Sequence, residues 1–313
     1  MNSNAHVPVL MGPVLEGLDI KEDGNYVDGT FGRGGHSSAI LKQLNADGRL
    51  IAIDRDPQAI ASVPEALEQD PRFELVRGEI AELSTCIGER ELTGKVDGLL
   101  LDLGVSSPQL DEAERGFSFL RDGPLDMRMD PDSGVSAAEW LNSVEEAALR
   151  RVIKKFGEDR FAARIARAVV SARKTAPILR TSELAAIVEE AVPAARMTKG
   201  KKKHPATKTF QAIRIFINRE LEQLQKALEQ SIDLLAPGGR LCVISFHSLE
   251  DRIAKRFIRD ASREPEQYRG MPNVPAEFQP KLKTIGKVIV ATAEDISENV
   301  RARSARLRVA ERV

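Results

Sequence analysis

Short apolar runs alternate with stretches of helical periodicity over the first hundred or so residues, and this alternation constrains the fold more than any other feature. The runs Tyr26-Val27, Leu50-Ile51-Ala52-Ile53, Phe73-Glu74-Leu75-Val76 and Leu99-Leu100-Leu101 are bounded by Gly, Asp or Asn and read as strands. Residues 37–45, 57–69 and 81–90 carry apolar side chains at mixed three- and four-residue spacing and read as helices. Repeated β-α units of this kind imply a parallel sheet covered on both faces.

The pattern changes at about residue 109, after which no strand is expected until Leu241-Cys242-Val243-Ile244. Two capping boxes, Ser136 with Glu139 and Ser143 with Glu146, mark helix starts in the intervening stretch. Residues 158–173 and 181–192 continue the helical reading, with Ala176-Pro177 as a break between them. Pro237-Gly238-Gly239 is expected to end a long helix and turn the chain into the next strand. Strand patterns resume at 241–246, 285–291 and 307–309, and the proline-bearing stretch 264–280 reads as irregular surface. The expectation is an α/β sheet domain built from 1–108 and 209–313, interrupted by an all-helical insertion at 109–208.

A chain of 313 residues with 42% hydrophobic content is ample for a packed core, and a net charge of −1 argues against a uniformly basic, DNA-coating protein. Charge is nevertheless uneven. Segment 194–208 holds Arg196, Lys199, Lys201, Lys202, Lys203 and Lys208 with no acidic residue, so it is either a solvated loop or a grip for phosphates. Cys86 and Cys242 are too few and too far apart for a disulfide framework, and His6, His36, His204 and His247 lack metal-ligand spacing, so no metal is expected. With no signal-peptide pattern and no apolar stretch of about 20 residues, the expected location is the cytoplasm, away from membranes. His247 between Ser245 and Ser248 invites a hydrolase reading, but no G-x-S-x-G surrounds either serine, and a local polar cluster fits better.

The chemistry is concentrated after the first strand, at Asp28-Gly29-Thr30-Phe31-Gly32-Arg33-Gly34-Gly35-His36-Ser37. Glycines there allow a tight turn and close backbone approach to a ligand. Asp54 follows at the end of the second strand, where a carboxylate can accept hydrogen bonds from both ribose hydroxyls of a nucleoside. A dinucleotide site wants G-x-G-x-x-G, whereas this loop reads Gly32-x-Gly34-Gly35 and starts with Asp28, a charge that repels a pyrophosphate and suits the ammonium and sulfonium of S-adenosylmethionine. Asp102, at the end of the fourth strand, is expected to face the same crevice, unless it serves only as a helix cap.

These stretches, with Asp102-Leu103-Gly104-Val105-Ser106-Ser107-Pro108-Gln109, Arg115-Gly116-Phe117-Ser118-Phe119, Gly123-Pro124-Leu125-Asp126-Met127-Arg128-Met129, His204-Pro205-Ala206-Thr207 through Phe210-Gln211-Ala212, Ser245-Phe246-His247-Ser248-Leu249-Glu250-Asp251-Arg252 and Arg301-Ala302-Arg303-Ser304, give the chain its likeness. It resembles the RsmH/MraW family of small-subunit ribosomal RNA cytosine-N4 methyltransferases. The resemblance implies a Rossmann-like class I methyltransferase sheet with an inserted helical, RNA-recognising domain. It implies methyl transfer from S-adenosylmethionine to the exocyclic amine of a cytidine in the decoding region of 16S rRNA, in the small ribosomal subunit. Gly34, Gly35, His36, Asp54, Asp102 and Gln109 would contact the cofactor, and Ile80 would form an apolar wall where a relative often has Phe.

Asp102 is the candidate catalytic group, and either it or a carbonyl of the Leu103–Pro108 loop would accept a hydrogen of the amine. The loop after it lacks the stacking aromatic of many amino-methyltransferases, so Phe117 and Phe119 are candidates to stack on the base, with packing inside the insertion as the alternative. Arg301, Arg303, Arg306 and Arg308 either extend an RNA-binding surface or guard a sheet edge. The rival readings are a nicotinamide-dependent oxidoreductase and a non-catalytic RNA-binding assembly factor. Monomer and homodimer both stay open.

Overall fold

The computed structural model describes residues 8–193, 204–268 and 274–313. The predicted basic cluster from Arg196 to Lys203 lies outside the described residues, as does His6. Contacts divide the chain into two compact units, one running to Gly104 and resuming at Leu221–Val313, the other Val105–Glu220.

In the first unit the elements alternate as the sequence predicts. They run α1 (Met11–Leu18), β1 (Asn25–Asp28), α2 (Gly35–Leu41), β2 (Arg49–Asp54), α3 (Pro57–Ala61), α4 (Glu65–Glu68), β3 (Phe73–Arg77), α5 (Leu83–Gly88) and β4 (Val96–Asp102). The second unit is helical, with α6 (Ser107–Asp111), α7 (Ala137–Ser143), α8 (Glu146–Gly157), α9 (Ala162–Ala172), α10 (Thr181–Ala191) and α11 (Thr207–Ile217). The chain returns through α12 (Glu220–Leu234), β5 (Leu235–Ser245), α13 (Ser248–Ala261), β6 (Leu282–Val290), α14 (Ala293–Glu298) and β7 (Arg306–Arg312).

The strands form one seven-stranded sheet in the order β3-β2-β1-β4-β5-β7-β6. The first five in that order are parallel, and β7 runs antiparallel to both β5 and β6. That order with one reversed strand is the Rossmann-like sheet of class I methyltransferases. Because the chain winds from β1 toward β3 on one side and from β4 toward β5 on the other, a crevice opens outside the carboxyl ends of β1 and β4.

Both faces of the sheet are covered, which explains why its strands read as unbroken apolar runs. Val27, Ile51, Leu99, Leu101 and Val243 point into one core with Leu83 and Ile87 of α5, Leu224 and Leu228 of α12 and Ala254 of α13. The alternate residues Tyr26, Leu50, Ala52, Leu100, Cys242 and Ile244 point into the other, with Val14 and Leu18 of α1 and Ile40 of α2. The pleat thus divides each run between two cores.

Several local expectations are corrected. Pro237-Gly238-Gly239 does not separate α12 from β5: Leu235 already pairs with Val96, the ladder resumes at Arg240 with Gly98, and the intervening residues bulge out, with Gly238 at φ 79°. Ser143 caps no helix start. It ends α7, its hydroxyl donating to the carbonyls of Glu139 at 2.8 Å and Trp140 at 3.2 Å, while α8 starts from Glu145 without a side-chain cap. Pro64 splits the predicted helix 57–69 into α3 and α4. Glu158, at φ 46°, ends α8, so the helix expected from 158 begins only at Ala162. The arginines near the terminus guard no edge. β7 is an inner strand, Arg301 and Arg303 sit in a 3-10 turn before it, and Arg306 and Arg308 reach Asp251 at 3.6 and 2.9 Å.

In the second unit the Ser136 capping box forms as predicted: Ser136 N donates to Glu139 Oε2 at 2.7 Å and Glu139 N donates to Ser136 Oγ at 3.2 Å. Helices α8, α9, α10 and α11 bury Leu149, Ile153, Ile165, Val169, Leu184 and Ile213 together. Helix α11, which begins before the boundary predicted at residue 209, packs on α8 through this core. The irregular 127–129 segment is held by buried Asn218, whose Nδ2 donates to the Met127 carbonyl at 2.7 Å and whose Oδ1 accepts from Met129 N at 2.7 Å. Replacing Asn218 with Ala removes these bonds and a third, to the Arg214 carbonyl at 2.9 Å. Urea unfolding should show a loss of about 3 kcal/mol, at about 1 kcal/mol per bond; no change would mean that the segment is held by packing alone.

Candidate active site

The glycine-rich loop is stitched to both neighbouring strands. Gly29 N donates to the Leu100 carbonyl at 2.9 Å, and Phe31 N donates to the Ile53 carbonyl at 3.0 Å. Asp28 closes the loop from within: its Oδ1 accepts from Thr30 N at 3.1 Å and its Oδ2 from Ser37 Oγ at 2.7 Å. At 1% exposure this carboxylate is turned onto its own loop, which revises the expectation of a charge displayed to a ligand. Burial pushes the Asp28 carboxyl above its ordinary value, with the Ser37 hydrogen bond opposing.

Gly34 and Gly35 are required by the geometry. Gly34 has φ 71°, and a Cβ there would lie 2.7 Å from Phe31 Cε2; a Cβ on Gly35 would lie 2.3 Å from Pro8 Cγ.

One strand over, Asp54 ends β2. Its Oδ2 accepts from Gly32 N at 2.8 Å and its Oδ1 from Asp56 N at 2.9 Å. Each oxygen of a carboxylate has about two lone-pair sites, so one amide on each leaves acceptor capacity on both. Burial raises the Asp54 carboxyl above its ordinary value, opposed by the hydrogen bonds from Asp56 and Gly32. Past β3, Ile80 opens a 3-10 turn and packs half-buried on the core, its Cγ2 3.4 Å from where a Cβ of Gly29 would stand. Ile80 is therefore an apolar wall against the loop. The Gln223 side chain fixes this turn, Oε1 accepting from Ala81 N at 3.0 Å and Nε2 donating to Glu79 Oε2.

Asp102 ends β4 on the other side of the loop. Its backbone N donates to Thr30 Oγ1 at 2.7 Å, a link between residues 72 apart in sequence. Its Oδ2 lies 3.5 Å from His36 Nε2, near enough for charge attraction but outside hydrogen-bond geometry. Asp102 Oδ1 and both His36 ring nitrogens are buried without a hydrogen-bond partner among the described residues. Burial alone lowers the basicity of His36, but the carboxylates of Asp102 and Asp28 outweigh it and hold the imidazolium above its ordinary pKa.

A histidine whose folded pKa exceeds its unfolded value of about 6.5 stabilises the fold fully below that pH, and the contribution is lost as pH rises through the folded value. NMR titration should place the His36 midpoint above 6.5, and Asp102→Asn should lower it. A midpoint unmoved by that substitution would contradict the pairing.

Gly34, Gly35, His36, Asp54, Ile80 and Asp102 all belong to the first unit, along the carboxyl ends of β1 to β4 and the loops that follow them. Gln109 belongs to the second unit, where it is 5% exposed and caps α6, Oε1 accepting from Ser106 N at 3.0 Å. Phe117 and Phe119 are packing residues of that unit. Phe117 is 6% exposed, and Phe119 meets the rings of His204 and Phe210 at 4.7 and 4.9 Å. His247 is a helix cap, as the polar-cluster reading expected: Glu250 N donates to its Nδ1 at 3.4 Å, and Glu250 Oε2 accepts from Phe246 N at 2.8 Å. Sequence reasoning missed Thr30 and the pairing of His36 with Asp102, for which no local signal exists.

The chain is similar to several solved structures at low identity. A candidate rRNA methylase from Clostridium thermocellum is 12% identical, with 98% of this chain and 99% of that one covered at a TM-score of 0.45. An rRNA methylase from Streptococcus thermophilus is 11% identical, with 97% and 93% covered at 0.41. A candidate methyltransferase from Streptococcus mutans, in complex with SAH, is 10% identical, with 98% and 99% covered at 0.42. At these values the likenesses carry no argument about activity. A family model, in contrast, matches residues 3–313 without a break, through the sheet, the helical unit and the returning strands alike. A match of that extent follows the whole chain, and this chain belongs to the MraW methylase family.

Proposed function

We propose that this methylase transfers a methyl group to the N4 amine of a cytidine in the decoding region of 16S rRNA, acting on the small ribosomal subunit. Its cofactor is S-adenosylmethionine. The residues of the crevice fit that cofactor: the left-handed backbone of Gly34 and the tight packing at Gly34 and Gly35 leave the loop after β1 free of side chains there, Asp54 has acceptor capacity for two ribose hydroxyls, and Asp102 Oδ1 is a buried acceptor with no partner among the described residues. S-adenosylmethionine supplies an electrophilic methyl on a positively charged sulfur.

The observation that carries the reading is Asp102 Oδ1. The lone pair of a cytosine amine is delocalised into the ring, so the amine must be positioned and its nitrogen helped to pyramidalise. Asp102 Oδ1 accepts one amine hydrogen and receives that proton as the N–C bond forms and the S–C bond breaks. His36 acts as a positioning residue, holding the Asp102 carboxylate through Oδ2, 3.5 Å from its Nε2. The target base must be unpaired or extruded to reach such a group, which favours a loop or junction in folded RNA. We assign recognition of that RNA to the helical second unit.

Transfer of labelled methyl to small subunits lacking the modification, compared with large subunits and naked rRNA, tests the substrate. Label on small subunits is expected. Label on large subunits alone, or cofactor binding with no transfer to any RNA, would refute the reading. For the cofactor pocket, Asp54→Ala should weaken S-adenosylmethionine binding roughly 100-fold in a calorimetric titration, the equivalent of two hydrogen bonds to a charged acceptor. An unchanged affinity would remove Asp54 from the pocket.

A further inference from the structure

Away from the crevice, α13, β6 and β7 enclose an open groove of ≈ 760 Å³ that shares no residue with the proposed cofactor site. Six of its sixteen lining residues are basic, namely Lys255, Arg259, Arg263, Lys283, Lys287 and Arg308, and none is Asp or Glu. The whole chain carries 46 basic and 47 acidic residues, so this concentration is not background. Its position follows from the fold. Helix α13 puts Lys255 and Arg259 one turn apart, about 6 Å along the axis, and the outermost strand β6 brings Lys283 and Lys287 to the same groove.

Arg308 pairs with Asp251, and Arg259 with the adjacent Asp260. Lys255, Arg263, Lys283 and Lys287 are exposed and meet no carboxylate among the described residues. The floor is apolar, made by buried Ile258, Leu282 and Val309. Unpaired like charges converging on one groove repel each other and raise the free energy of the empty state, and a polyanion relieves that repulsion.

We infer that this groove binds the phosphodiester backbone of RNA, as a second contact that anchors the substrate away from the reacting base. A basic rim over an apolar floor suits phosphates held outside and the less polar faces of the nucleotides packed inward. The contact is independent of sequence, because lysine reads charge and carries no base pattern. The inference rests on the reading of the acceptor as RNA.

The test is fluorescence anisotropy with a fluorescein-labelled single-stranded RNA oligonucleotide, titrated at several salt concentrations with the full chain and with the triple variant Lys255→Ala, Lys283→Ala, Lys287→Ala. Each lost phosphate contact on a single strand lowers the slope of log K against log salt by about 0.7, so the variant should bind more weakly with a slope smaller by about 2. A control variant, Lys42→Ala, Lys95→Ala, Lys226→Ala, removes three exposed lysines elsewhere on the same unit and should change the slope much less. Calorimetry with S-adenosylmethionine should give the same affinity for all three proteins, which separates loss of the groove from loss of the fold.

A slope unchanged in the groove variant, or lowered equally in the control, overturns the groove while leaving the methylation reading intact. If the unmodified chain binds no RNA at all, the RNA reading fails and the groove fails with it. Charge reversal with Lys283→Glu and Lys287→Glu gives a second measure, with a larger loss of affinity expected than for the same two positions as Ala.

Discussion

Asp102→Ala should lower the single-turnover rate of methyl transfer by about 10²- to 10⁴-fold, the range expected when a positioned acid-base group is removed. The substitution deletes the only carboxylate oxygen of the crevice that is buried and without a hydrogen-bond partner among the described residues. It leaves the backbone amide of residue 102, and with it the 2.7 Å link to Thr30 Oγ1. The loop should therefore keep its place, and the loss should fall on the rate more than on the fold. Asp102→Asn is the sharper variant: it keeps the shape and an accepting oxygen but cannot take the proton, so it should be nearly as slow as Ala. An Asn variant with the unmodified rate would show that Asp102 only orients the amine.

Gly34→Ala carries the second large effect. An L-residue held at φ 71° costs about 1–2 kcal/mol, and the added Cβ would stand 2.7 Å from Phe31 Cε2 and 2.8 Å from Leu67 Cδ1. Overpacking of that kind adds about 1–3 kcal/mol. The Phe31 backbone N–H donates a hydrogen bond to the Ile53 carbonyl, so the loop has little room to yield. Affinity for S-adenosylmethionine should fall about 100-fold or more, measured by calorimetry, with a lower melting temperature. Retained affinity would mean that the loop does not approach the cofactor closely.

The sheet was legible because burial on both faces leaves continuous apolar runs, and because Asp28, Asp54 and Asp102 punctuate strand ends where the chain turns. The reversed strand β7 was harder to place. Its arginines look like the polar guard of an exposed edge, yet Asp251 of α13 neutralises two of them and lets the strand sit between β5 and β6. Pro237-Gly238-Gly239 signalled a turn correctly, but a turn and a bulge have the same local chemistry, and only the pairing of Leu235 with Val96 tells them apart.

At the site, the glycines and Asp54 were legible from spacing alone. Asp28 was legible as a position but not as a partner, since nothing local says that Ser37 and Thr30 capture its oxygens. The contact of His36 with Asp102 depends on β1 and β4 lying side by side, which follows from strand order and not from any motif. Phe117 and Phe119 show the reverse limit: aromatic residues near a catalytic loop suit either stacking on a base or packing in a core, and here their neighbours make them core.

The central claim is that this crevice delivers a methyl group to the N4 amine of a cytidine. Its most direct test is digestion of enzyme-treated small-subunit rRNA to nucleosides, followed by mass spectrometry against N4-methylcytidine and its ring-methylated isomers. Labelled N4-methylcytidine is expected at one position, absent from the Asp102→Ala reaction at matched time. Label on a ring carbon, on a ribose hydroxyl or on another base would contradict it.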